Sequence, residues 1–426
     1  MAFLEELAAD TADVIPLQVG AQSVVLLKHP SLIQQLLVAD AAQTDKGRTA
    51  ERELFFAFLG EGLLNVRGDA HRRQRRLMLP GFHRNRLAGY ATTMTEQAEI
   101  ISNSWRNGEI RDINADMMSL ALAVAGRTLF SSDVSHASQA ITDGFDELTR
   151  NVNRMVFPGA RWLLRTPLPF ARRLRTSRRE LDDAVQELIQ RRRAQARDTG
   201  DLLSMLLMAE DAEQPGEHLS DVEVRDQIMT LLFTGQGPIG NTLSWIWWLL
   251  AQHPDVEAAL HAELARVLGD RPPTADDFPN LVVAEQIARE TLRLYPSIWS
   301  MGRRTTADLT FAECPVRCGS LVVASQWVTQ RDERWFTDPM AFRPQRWTSE
   351  FRASLPRYAY FPFGGGPRSC IGENFAWMEL VLVVAAIAQH WSFSLARDAT
   401  TVRPLARITI HPDRKVWLRL NRRTRA

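Results

Sequence analysis

A cysteine in a glycine-rich loop is the feature that most constrains this chain. Cys370 follows three consecutive glycines, 364–366, and stands immediately before the apolar run that begins at Ile371. Glycine lets the backbone approach a flat group closely. A cysteine at the start of a helix also lies in the positive field of the helix dipole, which favours the thiolate. The loop therefore predicts that Cys370 is a metal-bound thiolate rather than a buried structural cysteine.

The whole loop matches a longer pattern. Residues 363–372 fit F-x-x-G-x-R-x-C-x-G at every fixed position, which are Phe363, Gly366, Arg368, Cys370 and Gly372. In this the chain resembles the cytochrome P-450 family of haem-thiolate enzymes. The resemblance implies haem b with Cys370 as its axial ligand, Arg368 at a propionate, and Gly372 letting the next helix begin against the ring. Thiolate ligation of haem favours O–O bond cleavage.

A charged pair upstream extends the resemblance. Glu290 and Arg293 lie three residues apart in the amphipathic run 283–295, so they share one helix face. They match the family's E-x-x-R motif, which an arginine before the cysteine loop completes, and Arg346 stands at that place. Alone, such a pair is common on solvated helices, but here its order and spacing follow the family. The resemblance implies a structural rather than catalytic role for all three residues.

Three more basic residues match positions that the family uses for haem propionates. His71 and Arg75 form H-x-x-x-R, four residues apart on a predicted helix, and the resemblance makes both of them haem clamps. Arg303 matches a further propionate-binding arginine. Basic runs of this kind are otherwise solvated faces or nucleic-acid patches. A formal net charge of +1 argues against nucleic acid.

Length and composition describe a globular chain with ample material for a large core. The 426 residues are 45% hydrophobic and 24% charged. Length alone would predict roughly two or three domains. The matched motifs nevertheless extend from His71 to Cys370 and build one site, so we expect one haem-thiolate unit over 1–426. The N-terminus has no apolar run suited to a bilayer span or a signal peptide, which predicts a cytoplasmic protein.

Periodicity predicts a mainly helical chain with a small β portion. Apolar residues recur at helical spacing over 31–40, 70–79, 84–106, 117–129, 136–151, 171–195, 222–252, 256–268, 281–295 and 371–389. Strand-like alternation is confined to 14–27, 309–311, 321–325 and 416–420. The stretch between Cys314 and Cys318 is typical of a turn with two ordinary thiols. The resemblance implies the same fold class, the cytochrome P-450 fold.

The predicted helix 222–252 contains the largest departure from the family. Its family counterpart carries an acid followed by threonine, which order water and deliver protons while the O–O bond breaks. Alignment on Gly235 and Asn241 puts Gly237 in the place of the acid and Pro238 in the place of the threonine. Neither side chain can deliver a proton. Proline also removes one hydrogen bond from the helix.

A substitute proton relay has several candidate members near Pro238, including the carbonyl that this proline leaves without a helical donor. The side-chain candidates are Thr234, Gln236, Asn241 and Thr242. Two explanations stay open. The enzyme is an oxygen-dependent monooxygenase whose protons come from ordered water or a substrate hydroxyl, or it is a peroxide-dependent or redox-neutral enzyme that does not activate dioxygen reductively. Some peroxide-using relatives carry such a proline beside an arginine, which Gly237 does not provide.

Two other classes of function compete with the haem-thiolate enzyme. Residues 235–240 satisfy G-x-G-x-x-G, a dinucleotide fingerprint, with 228–233 standing where its strand would be. A lone fingerprint is weak, and the helical run that follows leaves no second strand. The non-enzymatic alternative is a haem-based gas sensor, against which we note the absence of a DNA-binding or signalling module in the sequence.

Polarity and charge indicate the substrate and the partner. The segments that line the family's pocket are apolar here, at 54–59, 156–157, 162–164 and 298–301, and the candidate pocket residues are Phe233, Ile298 and Trp299. We expect a hydrophobic small molecule, such as a terpenoid, fatty acyl or polyketide-like compound. Because the sequence shows no flavin or iron–sulfur module, electrons would come from a separate ferredoxin and reductase. Arg72, Arg73 and Arg76 form a candidate docking patch, with a merely solvated face as the alternative.

Overall fold

The structure is a computed structural model that describes residues 1–20, 22–47, 58–131, 135–151, 166–195, 200–211, 214–396 and 401–423. The predicted pocket segments 156–157 and 162–164, and residues 54–57 of the first segment, lie outside the described residues. Bounds of helices and strands refer to the described parts of the chain.

Helices form most of the regular structure. They are α1 (Ala2–Ala9), α2 (Pro30–Gln34), α3 (Gly68–Met78), α4 (Arg84–Asn103), α5 (Ile113–Phe130), α6 (Ser135–Asn151), α7 (Pro169–Gln195), α8 (Leu202–Met208), α9 (Asp221–Leu250), α10 (Pro254–Val267), α11 (Val282–Leu294), α12 (Gln326–Thr329), α13 (Ser349–Ser354) and α14 (Glu373–Ala388). Local sequence sets several starts. Proline opens α2 and α10, where its missing N–H costs nothing, and the Asp201 carboxylate caps α8 by accepting from the Ser204 amide at 2.8 Å.

The strands are short. They are β1 (Val14–Val19), β2 (Gln22–Leu27), β3 (Thr44–Asp45), β4 (Ile110–Asp112), β5 (Glu210–Asp211), β6 (Gln214–His218), β7 (Met301–Thr305), β8 (Leu309–Phe311), β9 (Cys314–Val316), β10 (Leu321–Ala324), β11 (Trp391–Leu395), β12 (Pro404–Ala406), β13 (Ile410–Pro412) and β14 (Trp417–Arg422). The largest sheet has the order β1-β2-β10-β7-β3, and a smaller one has the order β11-β14-β4. β10 pairs in parallel with β2 and antiparallel with β7. The pairs β5-β6, β8-β9 and β12-β13 are two-stranded.

The chain divides into two compact units. The first comprises Met1–Gly47, Ser104–Asn114 and Asn241–Ala426, and the second comprises Arg48–Asn103 and Ala115–Gly240. The first unit holds the five-stranded sheet, α10, α11 and α14, whereas the second holds α3, α4, α6 and α7. A single haem-thiolate unit over 1–426 stays a prediction.

The apolar core of the first unit lies against the cysteine loop. Buried residues from β2, the α2 region, β8 and β10 pack with the two aromatic residues that precede the loop, Tyr358 and Phe361. Among them Leu27 and Phe311 are fully buried. The segment that leads into the loop is therefore packed into this core.

Three local predictions need correction. The run 14–27 is two antiparallel strands rather than one, because the chain turns at Gly20 with φ of +61°. The helix expected over 31–40 is α2 continued by a π-helical turn, Gln35–Ala39. Cys314 belongs to β9, so the turn lies after Val316. Within the described ranges, no helix has the combination of length and apolar character that a bilayer span requires.

Candidate functional site

The cysteine loop is closed by its own backbone. The Cys370 amide donates to the Phe363 carbonyl at 3.0 Å, and the Ser369 amide donates to the Gly366 carbonyl at 3.0 Å. The loop ends at Gly372, the N-cap of α14. Cys370 is exposed just before this helix N-terminus, where the helix dipole stabilises a thiolate. The loop thus presents the cysteine where a cofactor can reach it.

Packing requires the three glycines of the loop. Gly364 and Gly366 have φ of +74° and +68°, in the left-handed region that glycine adopts readily. A methyl group on Gly366 would lie 1.8 Å from the Leu37 carbonyl oxygen, and one on Gly365 would lie 2.4 Å from the Tyr358 ring. The chain's own backbone and an aromatic ring thus occupy the space that larger residues would need.

Two guanidinium groups accompany the loop. Arg303 lies on β7 and donates from Nη1 to the Gly302 carbonyl at 2.9 Å. Burial, and then repulsion from the Arg368 guanidinium, lowers the pKa of Arg303 to about 10, against an opposing effect of Asp45. Arg368 is only two residues from Cys370. Two cations that repel each other inside the protein favour binding of an anion.

These features fit haem b. Cys370 is exposed and can supply the thiolate, and Arg303 and Arg368 match the negative charge of the propionates. When bound, the haem would supply the oxidation chemistry. The protein residues then have to bind it, orient it and control water and protons beside it.

The side chain of Phe363 packs behind the loop. Its ring meets Trp377 of α14 edge-on at 5.3 Å between centroids. Trp377 also contacts Arg289 of α11, whose guanidinium lies 4.4 Å from the centroid of the indole ring as a cation–π pair. Phe363 thereby links the start of the loop to α14.

The predicted Glu290–Arg293–Arg346 cluster is assembled and buried. Arg293 donates from Nε and Nη2 to the two Glu290 oxygens at 2.9 and 2.8 Å, and both residues are fully buried. Arg346 Nε donates to Glu290 Oε1 at 3.0 Å. The Trp347 indole and the Arg343 amide donate to the same carboxylate at 2.8 and 3.0 Å. One carboxylate thus ties α11 to the segment before the cysteine loop.

In the second unit, His71 and Arg75 lie one turn apart on α3. His71 is buried and Arg75 is half-buried. Their spacing places both on one face of the helix, as the sequence predicts. Arg303 and Arg368 belong to the first unit, whereas His71 and Arg75 belong to the second.

The chain before α3 is held by α9, which sequence reasoning did not foresee. The Asp226 carboxylate accepts from the Glu61 amide at 2.6 Å, and the Gln227 side chain accepts from the Leu63 amide at 2.9 Å. A methyl group on Gly60 would lie 2.2 Å from the Asp226 carboxylate. The sequence feature that could have predicted this contact is the glycine-rich stretch 60–68, which stands ahead of a basic helix.

The three arginines of the candidate docking patch differ in the exposure of their side chains. Arg72 pairs with Asp69 on the surface, where its side chain is 71% exposed. Arg73 donates to Glu223 at 2.8 Å with its side chain only 20% exposed. Arg76 is half-buried. Arg72 is the member most accessible to another protein.

The second-unit part of α9 contains Gly237 and Pro238, which the sequence analysis predicts to stand in the place of the family's acid and threonine. Gln236 is buried, and its amide donates to Thr142 Oγ1 at 3.1 Å and to the Met118 carbonyl at 3.5 Å. A methyl group on Gly240 would lie 2.6 Å from Met118 Sδ, whereas one on Gly237 would meet no described atom within 4 Å. The amide of Gln236 is therefore engaged, and open space lies beside Gly237.

The first-unit part of α9 begins at Asn241 and is buried throughout. Thr242 Oγ1 lies 2.7 Å from Ser297 Oγ. The Ser297 carbonyl in turn accepts from the Ile410 amide of β13 at 3.0 Å. These bonds join the helix to the segment after α11 and to the β12-β13 hairpin.

A second polar cluster, the Asn241 network, comprises Asn241, Asn114, Ser244, Thr409 and His411. Asn241 donates to Thr409 Oγ1 at 3.3 Å and faces His411 Nδ1 at 3.4 Å. Asn114 Nδ2 donates to Asn241 Oδ1 at 3.2 Å and to Ser244 Oγ at 3.0 Å. Burial, followed by the charge of Arg407, lowers the pKa of His411 to about 4, so its ring is neutral at neutral pH. No motif in the sequence predicts Thr409 or His411 as members of this cluster.

The candidate pocket residues occupy half-buried positions. The Phe233 ring contacts Phe145 of α6 edge-on at 5.1 Å. In the first unit, Ile298 and Trp299 follow Ser297, and Trp299 Nε1 donates to the Arg407 carbonyl at 2.8 Å.

The dinucleotide interpretation of residues 235–240 is wrong. Residues 228–233 are helical, and α9 continues through Pro238 without a strand before or after the glycines. Gly235 and Gly240 instead face Ala125 and Met118 of α5, which explains both glycines by helix packing.

Comparison with known proteins decides the family. The family model for cytochrome P450 matches residues 2–418. The chain belongs to the cytochrome P450 family. Pentalenene oxygenase of Streptomyces avermitilis is 34% identical over 424 residues, covering 99% of this chain and 93% of that protein. Cyclooctatin synthase of Streptomyces melanosporofaciens is 36% identical over 410 residues, covering 96% and 88%.

A solved structure agrees with this P450 assignment. The crystal structure of the cytochrome P450DA heme domain superimposes with a TM-score of 0.88 at 26% identity, covering 99% of this chain and 93% of that chain. The predicted fold class and the haem b cofactor with thiolate ligation are thereby confirmed. The protein is a P450 oxidoreductase, a monooxygenase acting on a hydrophobic small molecule.

Proposed function

We propose that this P450 hydroxylates or otherwise oxidises a terpenoid, with dioxygen and with electrons from a separate ferredoxin and reductase. The observation that carries the proposal is the cysteine loop, whose glycines, backbone bonds and neighbouring arginines present Cys370 as a haem ligand. The names of two relatives refer to pentalenene and cyclooctatin. Half-buried Phe233, Ile298 and Trp299 supply apolar surface for such a substrate.

The proposed roles of the site residues follow from their environments. Cys370 is the axial ligand, and Phe363 and Gly372 hold its loop on α14. Arg303 and Arg368 bind propionate. The two guanidinium groups repel each other, and a bound anion would offset the free-energy cost of burying both charges. Propionate binding by His71 and Arg75 remains a prediction. The buried cluster around Glu290 fixes the backbone before the loop and takes no part in the chemistry.

Proton delivery is proposed to depend on ordered water near Pro238. Proline cannot donate a backbone hydrogen bond, so the Thr234 carbonyl receives none from position 238 and can hold a water. Thr234 is exposed, although its own hydroxyl donates to the Thr230 carbonyl at 2.8 Å. Gln236 and Thr242 are engaged elsewhere. The carbonyl is therefore the strongest candidate of the relay.

The second candidate function is a peroxide-dependent or redox-neutral P450. The observation that favours it is the pair Gly237 and Pro238, which carries no group able to donate a proton. A methyl group on Gly237 would meet no described atom within 4 Å, so packing offers no reason for the glycine and a chemical reason is supported. The pair therefore reflects either a relay through water or loss of the dioxygen reaction.

One experiment separates the two functions. Product formation from a panel of terpenoids and fatty acids is measured with ferredoxin, reductase, NADPH and labelled dioxygen, and in parallel with hydrogen peroxide alone. We expect label in the product of the first reaction and little product from the second. Turnover with peroxide only, or without any oxidant, would establish the second candidate. The Cys370→Ser variant is the control for haem-thiolate dependence.

The docking patch has its own test. Because Arg72 is exposed and, among the described residues, pairs with a neighbour on its own helix, Arg72→Glu should slow reduction by an acidic ferredoxin, and the effect should fade at high salt. Arg191→Glu is a matched control, since Arg191 also forms an exposed pair with a residue of its own helix. Equal rates for both variants would remove Arg72 from the interface.

A further inference from the structure

A charged groove lies between α6 and α7 in the second unit. Its cavity volume is about 410 Å³, which is within the range of small-molecule sites. Three residues of α6 and five of α7 line it, and all of them carry a charge or a hydroxyl group. Phe145 of α6, which contacts the candidate pocket residue Phe233, is not among them. The groove is therefore a polar site apart from the apolar surface proposed for the substrate.

The two helices run antiparallel along the groove. Glu147 of α6 pairs with Arg173 of α7 at 3.2 Å. Earlier on α6, a methyl group on Gly144 would lie 3.5 Å from Ser177 Cβ and 2.7 Å from Leu181 Cδ1, and both of these residues come after Arg173 on α7. Moving back along α6 thus corresponds to moving forward along α7. This arrangement determines which lining residues share an end of the groove.

Three arginines, Arg150, Arg172 and Arg173, lie at one end of the groove, the arginine end. The buried Glu147 carboxylate accepts from Arg150 Nη1 at 3.0 Å and from Arg173 Nε at 3.2 Å, and so fixes both guanidinium groups. Arg172 is exposed and forms no ion pair or side-chain hydrogen bond with a described residue. Three guanidinium groups against one carboxylate leave this end positive, with Arg172 available to an anion.

Two carboxylates lie at the opposite end of the groove, the acidic end. Asp143 and Glu180 stand next to Gly144 and Leu181 in sequence, so they lie past the place where α6 meets Ser177. Both are exposed, and Glu180 forms no ion pair or side-chain hydrogen bond with a described residue. No basic residue of the lining belongs to this end. The groove thus offers opposite charges to a ligand at its two ends.

The spacing of the ends sets the length of a matching ligand. Arg172 and Arg173 precede Glu180 on one helix, and a rise of about 1.5 Å per residue separates the ends by about 10–12 Å. Thr176 and Ser177 lie between the ends, and neither hydroxyl is hydrogen-bonded to a described residue. A hydroxyl can both donate and accept. An extended peptide spans about 3.3–3.6 Å per residue, so about three residues match the groove.

We propose that this groove binds a short zwitterion of the length of a tripeptide. The carboxylate of the ligand pairs with the arginine end, and its ammonium group pairs with the acidic end. The hydroxyls of Thr176 and Ser177 bind the amide groups between them. The groove is then a second binding site, separate from the haem and from the candidate substrate residues, and it binds its ligand whatever molecule the P450 oxidises.

Calorimetric titration of the holoenzyme with triglycine tests the site. Triglycine amide, which lacks the carboxylate, and N-acetyl-triglycine, which lacks the ammonium group, are the comparison ligands. We expect triglycine to bind about three- to tenfold more tightly than either capped form, because each capped form loses the charged hydrogen bonds at one end. Glycine is too short to reach both ends and should also bind more weakly.

Two variants assign the charges of the ligand to the two ends. Arg172→Gln should weaken triglycine binding about three- to tenfold and leave the constant of triglycine amide unchanged, because that ligand has no carboxylate. Glu180→Gln should weaken triglycine to a similar extent and leave the constant of N-acetyl-triglycine unchanged. Arg179→Gln and Asp183→Asn are the matched controls. Both residues are exposed on α7 but do not line the groove, so their variants should change no constant.

Several results would overturn the proposal. They are an unmodified protein that does not bind triglycine, capped forms that bind as tightly as triglycine, and Arg172→Gln or Glu180→Gln variants that bind triglycine as tightly as the unmodified protein. Sedimentation of the unmodified protein and of both variants adds a further check. A dimer that both variants abolish would assign the groove to a second copy of this chain instead.

Discussion

Gly366 in the cysteine loop and Gly237 in α9 occupy their positions for opposite reasons. A methyl group on Gly366 would lie 1.8 Å from the Leu37 carbonyl oxygen, and its φ of +68° suits glycine. A methyl group on Gly237 would meet no described atom within 4 Å. Packing dictates the first glycine, whereas no described atom restricts a methyl group at the second. If Gly237 stands in the place of the family's acid, as the sequence analysis predicts, we expect the reason to be chemical and not steric.

The difference explains why one region keeps the family pattern and the other does not. In the loop, Gly366 has a steric reason and Phe363 a packing reason, and both depend only on the shape of the chain. In α9, the resemblance implies that an acid and a threonine would serve the reaction, so we expect that a change in how protons arrive could remove them without affecting the fold. We expect substitutions in the loop to affect haem and stability, and substitutions at Gly237 to affect the reaction alone.

The largest effect expected in the loop comes from its cysteine. Cys370→Ser should abolish the red-shifted Soret band of the reduced carbon monoxide complex, because that band requires a thiolate on the iron. Absorption spectra of the reduced protein with and without carbon monoxide measure it. Cys318→Ser, at another exposed cysteine, is the control and should keep the band. Persistence of the band in Cys370→Ser would disprove the ligand assignment.

Next in size is the buried carboxylate behind the loop. Glu290→Ala removes the acceptor of five hydrogen bonds and leaves the buried Arg293 charge unpaired. We expect the free energy of unfolding to fall by about 3–5 kcal/mol, measured by urea denaturation. The control is Glu285→Ala, whose partly exposed pair with Arg289 is worth about 1 kcal/mol or less. Equal losses for both variants would show that the cluster does not stabilise the loop.

The third effect isolates the steric demand at Gly366. Gly366→Ala must shift the backbone near Leu37 as well as bear a positive φ, so we expect a loss of about 2–4 kcal/mol in unfolding free energy and weaker haem retention. Gly319 has φ of +86° with nothing within 4 Å among the described residues. Gly319→Ala should therefore show only the backbone cost, about 1 kcal/mol. If the two variants lose equal stability, the contact with Leu37 does not limit the loop.

Most long helices could be predicted because their apolar periodicity extends over many turns. The run predicted over 222–252 is α9 at Asp221–Leu250, and the run predicted over 371–389 is α14 at Glu373–Ala388. Short elements gave weaker signals. β7 carries Gly302 and two arginines instead of alternating apolar residues, so only its pairing with β10 reveals it.

The residues of the candidate site also differ in how far the sequence predicts them. Cys370, Arg303 and the Glu290 cluster were predictable because each belongs to a pattern with fixed spacing. Thr409 and His411 were not, since they reach Asn241 from a hairpin almost 170 residues away and follow no local pattern. Their bonds to Asn241 are tertiary contacts, which the order of residues does not reveal.

The smallest expected effect is a change in the free energy of unfolding at Gly237, the second glycine of the comparison. Gly237→Ala adds a methyl group where nothing described lies within 4 Å and raises helix propensity, so we expect the free energy of unfolding to rise by about 0.5–1 kcal/mol. Gly240→Ala, three residues on, would place its methyl 2.6 Å from Met118 Sδ and should destabilise. Urea denaturation of both variants measures the difference. A loss at Gly237 as large as that at Gly240 would mean that packing, and not chemistry, keeps an acid out of this helix.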